Sequence, residues 1–389
     1  MASDAVIFIP GIKGTQLVET NRTPFDTIWS GLQSNFESLE DLELSRGVSR
    51  VYYDERVDSI VQPGEIEGLA YAEFLRDLST DKPIFIFNYD WRYSAAESGE
   101  LFKQFVDYLI AKSKASAGVA TFRTFDVVTH SLGNLVLRNY LHNHGMARIG
   151  KIVFTVPPFR GSIDIVSAVL IGEGFFEGVR AKFRKLVRTM PGALELLPNY
   201  RDSSRFEPNG SHSFFNFNHW QGNITGSDPI AQKMKEALAD AKGVIAAELQ
   251  DLSKLNPDER DRILVVVRHG YQTYQAVKVW KKGPDNLKNF VELEDSCRTD
   301  HGDGRVPHAS SCIYHDSINT LMLDDASFYK DYSHGFVLRD ERAQKMVNRF
   351  LFGPEPFKWD IPGGSIRKVT GLTMVRDTAR ELNHWEAVF

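Results

Sequence analysis

Apolar residues fall in short unbroken runs, and these alternate with stretches where they recur every three or four positions. Val6–Ile9 is such a run, followed by Pro83–Asp90, Phe125–Val128, Lys151–Pro158 and Arg262–Gly270. Short apolar runs with no polar alternation predict strands covered on both faces, as in a parallel sheet. Between them, Leu101, Phe102, Phe105, Val106, Leu109 and Ile110 keep helical spacing, which predicts an amphipathic helix. Other helical stretches include Leu75 and Leu78, run from Ser131 to about His142, and cover 231–252 and 339–352. A hairpin is predicted from 276–280 and 289–295, and a last strand within 318–325. Strands that alternate with helices predict an α/β fold with a mostly parallel sheet flanked by helices.

One stretch breaks the alternation. Residues 159–223 lack a clean period and are rich in Gly, Pro and aromatics. They are too many for a loop inside a compact domain. The expected division is therefore a core of 1–158 and 224–389, with 159–223 inserted as a cap or lid.

Composition narrows the function classes. The chain has 389 residues and a formal net charge of −5, which gives no basis for a nucleic-acid partner. No apolar run is long enough to span a membrane. The N-terminal residues lack a basic region and enter a strand-like run at once, so a cytoplasmic location is expected. Cys297 and Cys312 are the two cysteines. They exclude a disulfide scaffold and are expected as reduced thiols.

The chemistry concentrates in Phe125–Leu141. A strand-like run enters Thr129-His130-Ser131-Leu132-Gly133, and a helical one leaves it. A serine at such a corner either caps the helix or is held out as a nucleophile, with small residues two positions to either side. Gly133 meets that demand. Thr129 is bulkier than the usual glycine. A serine nucleophile needs a base, and the base needs an orienting carboxylate. On this kind of sheet the order is Ser, acid, His. Asp303, between two glycines after the run at 262–270, fits the acid. Among His308, His315, His334 and His384, His334 follows the last predicted strand and precedes the last helix, so it fits the base. Oxyanion donors are expected from the Leu132 amide and from the glycine-bearing loop after the first strand, Pro10–Gly14.

These residues add up to a known pattern. The chain resembles the lecithin:cholesterol acyltransferase-like family of α/β-hydrolases, which includes lysosomal phospholipase A2 and bacterial lipases. "VIFIPGIKGTQL" is similar to the family's opening strand and oxyanion loop, "YDWR" (Tyr89–Arg92) to its tetrapeptide, "HSLG" to its elbow, and "GDGRVP" to its acid motif with Arg305 in place of threonine. The resemblance implies an α/β-hydrolase fold, the triad Ser131, Asp303 and His334, and oxyanion donors at Leu132 and Ile12. It implies lipase, phospholipase or esterase chemistry through an acyl-enzyme. Two departures stand out: Thr129, and the absence of the cysteine pair that closes the lid loop of secreted members.

Several features allow two readings. Val179–Arg188 holds five basic residues with Val179, Phe183 and Leu186 on one face. It is either a cap helix packed on the core or a helix that touches an anionic membrane. Phe214, Phe215 and Trp220 are candidates for the substrate pocket. Asp90 and Arg92 are expected as a structural pair. Asp300, His301, Asp303, His308 and His315 lack metal-ligand spacing, so neither a metal nor an organic cofactor is expected. The expected function is ester hydrolysis on a lipid-like substrate. Acyl transfer to a lipid alcohol, amide or lactone hydrolysis, and partner binding on a catalytically silent scaffold are the alternatives.

Overall fold

The computed structural model describes residues 3–19, 26–29, 61–78, 82–116, 121–173, 177–208, 210–226, 228–248, 252–323, 333–353 and 366–368. Its centre is a seven-stranded sheet. In chain order the strands are β1 (Ala5–Ile9), β2 (Ile84–Ile86), β3 (Phe125–His130), β4 (Ile149–Thr155), β5 (Ile263–Arg268), β6 (Asn319–Leu323) and β7 (Ile366–Lys368). Their spatial order is β7-β6-β5-β4-β3-β1-β2. All neighbours are parallel except β6 and β7.

Each inner strand serves two cores. On β1, Ala5, Ile7 and Ile9 face one side, and Val6 and Phe8 face the other. This is the period of two that a pleated strand imposes. Helices α1 (Gly68–Asp77) and α7 (Glu341–Phe352) cover the Val6 side through Phe74, Met346 and Val347. Helices α2 (Ala95–Ala115) and α3 (Leu132–His144) cover the Ile7 side through Phe102, Val106 and Leu135. Ser94 and Glu97 close a capping box at the start of α2, so this half-buried helix begins with first-turn amides satisfied.

The predicted strands appear with shifted ends. The run at 83–90 gives only three strand residues, Ile84–Ile86, and beyond them the Asn88 side chain donates to Gly64 O at 2.9 Å. The predicted hairpin is present as Val277–Lys282 and Lys288–Glu292. Ser204–Glu207 joins it in parallel, so a small sheet ties the 159–223 stretch to residues far beyond it. That stretch otherwise carries α4 (Ile163–Leu170) and α5 (Glu177–Val187). The long helix at 231–252 is α6 (Pro229–Glu248). A second small sheet, Thr15–Glu19 with Asp26–Trp29 and Val61–Ile66, has no counterpart in the predicted elements. Of the described residues, no helix is long and apolar enough to cross a membrane.

The topology places the site. From β1 the chain goes first to β2 on one side and later to β3 on the other. The loops that leave β1 and β3 therefore diverge at the carboxyl ends of two adjacent strands, where open α/β sheets form a crevice.

Candidate active site

Ser131 sits between β3 and α3 with φ 52° and ψ −122°. Such a backbone is costly for a residue with a Cβ and persists only where its surroundings enforce it. The serine side chain makes no capping bond to the helix, so capping does not account for the residue. Instead Ser131 Oγ is 2.8 Å from His334 Nε2, and His334 Nδ1 is 2.8 Å from Asp303 Oδ2. The other Asp303 oxygen accepts the amides of Arg305 at 2.9 Å and Val306 at 2.7 Å. Burial pushes the Asp303 carboxyl upward. His334 and these amides outweigh it and hold the carboxyl below its usual range. All three side chains are buried.

The corner leaves no room. A Cβ on Gly133 would lie 2.5 Å from Ile9 O, and one on Gly11 would lie 2.7 Å from Ser131 Cβ. Thr129 is nonetheless accommodated. Its hydroxyl donates to Asn134 Oδ1 at 2.6 Å, and Asn134 Nδ2 donates to Ser131 O at 2.6 Å and Thr155 O at 3.0 Å. Threonine thus braces the elbow through Asn134, which the sequence motif did not single out.

A second brace joins the Pro10–Gly14 loop to His334. The Gly11 amide donates to Tyr71 Oη at 3.2 Å, and Tyr71 Oη is 2.7 Å from His130 Nδ1. His130 Nε2 is 2.9 Å from His334 O. A carbonyl only accepts, so Nε2 carries the His130 proton and Tyr71 donates to Nδ1. Burial, and then the neighbouring His334, push the His130 pKa down to about 3, so this imidazole is neutral. The chain of bonds links Gly11, α1, the elbow and the His334 backbone.

Ser131 and His334 open into a cavity of about 540 Å³. Ile12 lines it, and Leu132 is the first residue of α3, where amides lack intrahelical partners. The walls are mainly apolar, with Ile165, Ala168, Phe183 and Val187 from the 159–223 stretch. Five charged residues stand among them, Lys13, Glu67, Asp164, Glu173 and Arg305. Lys13 pairs with Glu173, and Arg305 Nη1 is 3.7 Å from Asp164 Oδ2. Burial raises the Asp164 pKa to about 6 against the opposing pull of Arg305.

The structure corrects one set of expected site residues. Phe214, Phe215 and Trp220 do not line this cavity; they are buried in the main core, with Trp220 Nε1 donating to Phe214 O at 2.8 Å. Large aromatic area is driven inward whether or not a pocket is near. Trp29, Tyr71, Phe183 and Phe336 supply the rings at the cavity instead. Asp90 and Arg92 form the expected buried pair, with Arg92 Nη2 2.8 Å from Asp90 Oδ2. Cys297 and Cys312 are free thiols. On α5, Phe183, Leu186 and Val187 are buried, while Arg180 and Arg184 pair with Glu177.

Of the residues weighed as metal ligands, Asp303 is committed to His334, and His315 Nδ1 donates to Cys312 O at 2.8 Å. His301 and His308 do meet, together with His269, which spacing did not suggest.

Comparison with known proteins agrees with this architecture. The family model for lecithin:cholesterol acyltransferase matches residues 75–239. The resemblance to that α/β-hydrolase family holds. A chain in the crystal structure of the Tle4–Tli4 complex superposes with a TM-score of 0.60 at 16% identity, over 91% of this chain and 99% of that one. At this identity the likeness is one of fold. The lin2722 gene product of Listeria innocua (TM-score 0.34, 13% identity, 92% and 96% covered) is more remote. So is the carboxylesterase CesB of Bacillus subtilis (TM-score 0.30, 13% identity, 73% and 79% covered). No curated protein matches the chain.

Proposed function

We propose that the chain is a serine hydrolase that cleaves carboxylic esters of a lipid-like substrate. The observation that carries this reading is the bonded line Asp303–His334–Ser131, which ends in a mainly apolar cavity. The matched family bears the name of an acyltransferase, which supports ester chemistry on lipids.

In this reading Ser131 Oγ attacks the ester carbonyl and its proton passes to His334 Nε2. The carbonyl oxygen becomes an oxyanion that takes hydrogen bonds from the amides of Leu132 and Ile12. Each such donor is worth roughly a hundredfold or more in rate. The C–O bond then breaks, and His334 returns the proton to the leaving alcohol. His334 next takes a proton from water, whose oxygen attacks the acyl carbon; the bond from that carbon to Ser131 Oγ then breaks, and His334 gives the proton to Oγ as the acid leaves. A lipid alcohol in place of water would complete acyl transfer. Asp303 holds the imidazole in the tautomer both steps need. The exposed Lys185 and its basic neighbours on α5 fit a docking role at an anionic membrane surface.

The test is a panel of p-nitrophenyl esters of graded chain length, with phospholipid vesicles alongside. The reading predicts kcat/KM rising with acyl length until the cavity is full, with each buried methylene contributing up to about 0.8 kcal/mol. A flat profile and no phospholipid turnover would leave a general esterase of small soluble esters.

A further inference from the structure

Three histidines gather where the acid loop meets the sheet. His269 follows β5 directly, and its amide donates to Leu323 O at 3.0 Å. His301 and His308 form the neck of the loop that carries Asp303, with the His308 amide donating to His301 O at 2.9 Å. One ligating atom from each imidazole lies within 4.8 Å of the other two. We propose that His269, His301 and His308 bind one divalent transition-metal ion of the zinc class, which clamps the neck of the Asp303 loop to the end of β5.

The donor set selects the ion. Three imidazoles suit zinc, cobalt, nickel or copper, whereas calcium and magnesium call for oxygen ligands. Nitrogens on a tetrahedral zinc stand roughly 3.3 Å apart. The three need to close by about 1.5 Å at most, which small side-chain rotations supply. His308 is already oriented. Its Nε2 is 2.9 Å from Arg268 O, so that nitrogen holds the proton and Nδ1 offers a lone pair. A backbone carbonyl on the outer ring nitrogen is a common support for a ligating histidine. His301 is partly exposed, which gives the ion a way in, and Asp300 Oδ1 is 3.6 Å from His301 Nε2, which sets a negative charge beside the cation. Three protein ligands leave a fourth position for water.

The loop has a use for such a clamp. Asp303 lies between Gly302 and Gly304, and Gly304 has φ +94°. A glycine-flanked carboxylate that must hold His334 gains from a fixed neck. The ion takes no part in the acyl transfer above, so its binding can be read independently of turnover.

The full-length chain, stripped with a chelator, is titrated with Co²⁺ and then with Zn²⁺. The expected result is one Co²⁺ per chain with the visible absorption of a tetrahedral, nitrogen-ligated site, displaced stoichiometrically by Zn²⁺. Zinc at a hundred times its Kd should raise the melting temperature by about 3 °C. His301→Ala, at a partly exposed position, and His269→Asn should each abolish the spectrum and the thermal shift. Absence of stoichiometric binding by the wild type would overturn the proposal. So would unchanged binding in folded His301→Ala, or binding that survives there but disappears in His334→Ala, which would put the ion on the triad.

Discussion

The hydroxyl of Tyr71 satisfies two buried groups at once, the Gly11 amide and His130 Nδ1. Removing it strands both, at about 1–3 kcal/mol for each unsatisfied group. Tyr71→Phe should therefore lower stability in urea by about 2–4 kcal/mol. It should also lower kcat by about tenfold with little change in KM for a soluble ester, because the loosened Pro10–Gly14 loop misplaces an oxyanion donor. Unchanged stability together with unchanged kcat would remove Tyr71 from this role. Asp164 gives a pH signature. Its pKa in the fold, about 6, lies above its ordinary 3.8. The folded state thus holds the proton more tightly than the unfolded chain, so stability falls as pH rises between these values. Asp164→Asn removes that loss. The variant should gain about 1–2 kcal/mol on the wild type between pH 4 and pH 7.5, allowing for solvent screening. Equal pH profiles in thermal melts would contradict the assignment. At this scale the Ser, Asp and His were readable because motif and chain order constrain them. Tyr71, Asn134 and His269 were not, since their roles arise from contacts that the fold creates between distant segments. The Phe214 and Trp220 rings misled for a related reason: composition tells how apolar a side chain is, not which apolar surface receives it.

Among the elements, the buried strands were the most legible, because a run such as Val6–Ile9 must be covered on both faces. The small sheet formed by Thr15–Glu19, Asp26–Trp29 and Val61–Ile66 was not. Its strands are short, and Val61–Ile66 mixes Gln, Pro, Gly and Glu with only two apolar residues, so no period of two is visible. Helix α5 sits between these cases. Its apolar face was readable and is buried, and Phe183 reaches the cavity. In the proposed function its basic face docks on an anionic membrane. Joint charge reversal, Arg184→Glu with Lys185→Glu, should weaken binding to anionic vesicles by about tenfold or more at low salt, and less at high salt. A sedimentation assay that finds equal binding for both proteins would remove α5 from that proposed role.

For the whole molecule, the central sheet sets where the site residues meet. Adjacent β1 and β3 present the Pro10–Gly14 loop and Ser131, while Asp303 and His334 come from beyond β5 and β6; the proposed function makes these the oxyanion loop, nucleophile, acid and base. Ser131 and His334 are 203 positions apart in sequence, yet with Asp303 their polar atoms form one bonded line. The claim on which the rest depends is that this line makes Ser131, and no other serine, a nucleophile. The most direct measurement is intact-mass and peptide mapping after exposure to a fluorophosphonate. The account predicts a single adduct on Ser131, with the labelling rate reduced by about three orders of magnitude in His334→Ala. An unlabelled folded protein, or an adduct on a different residue, would contradict it.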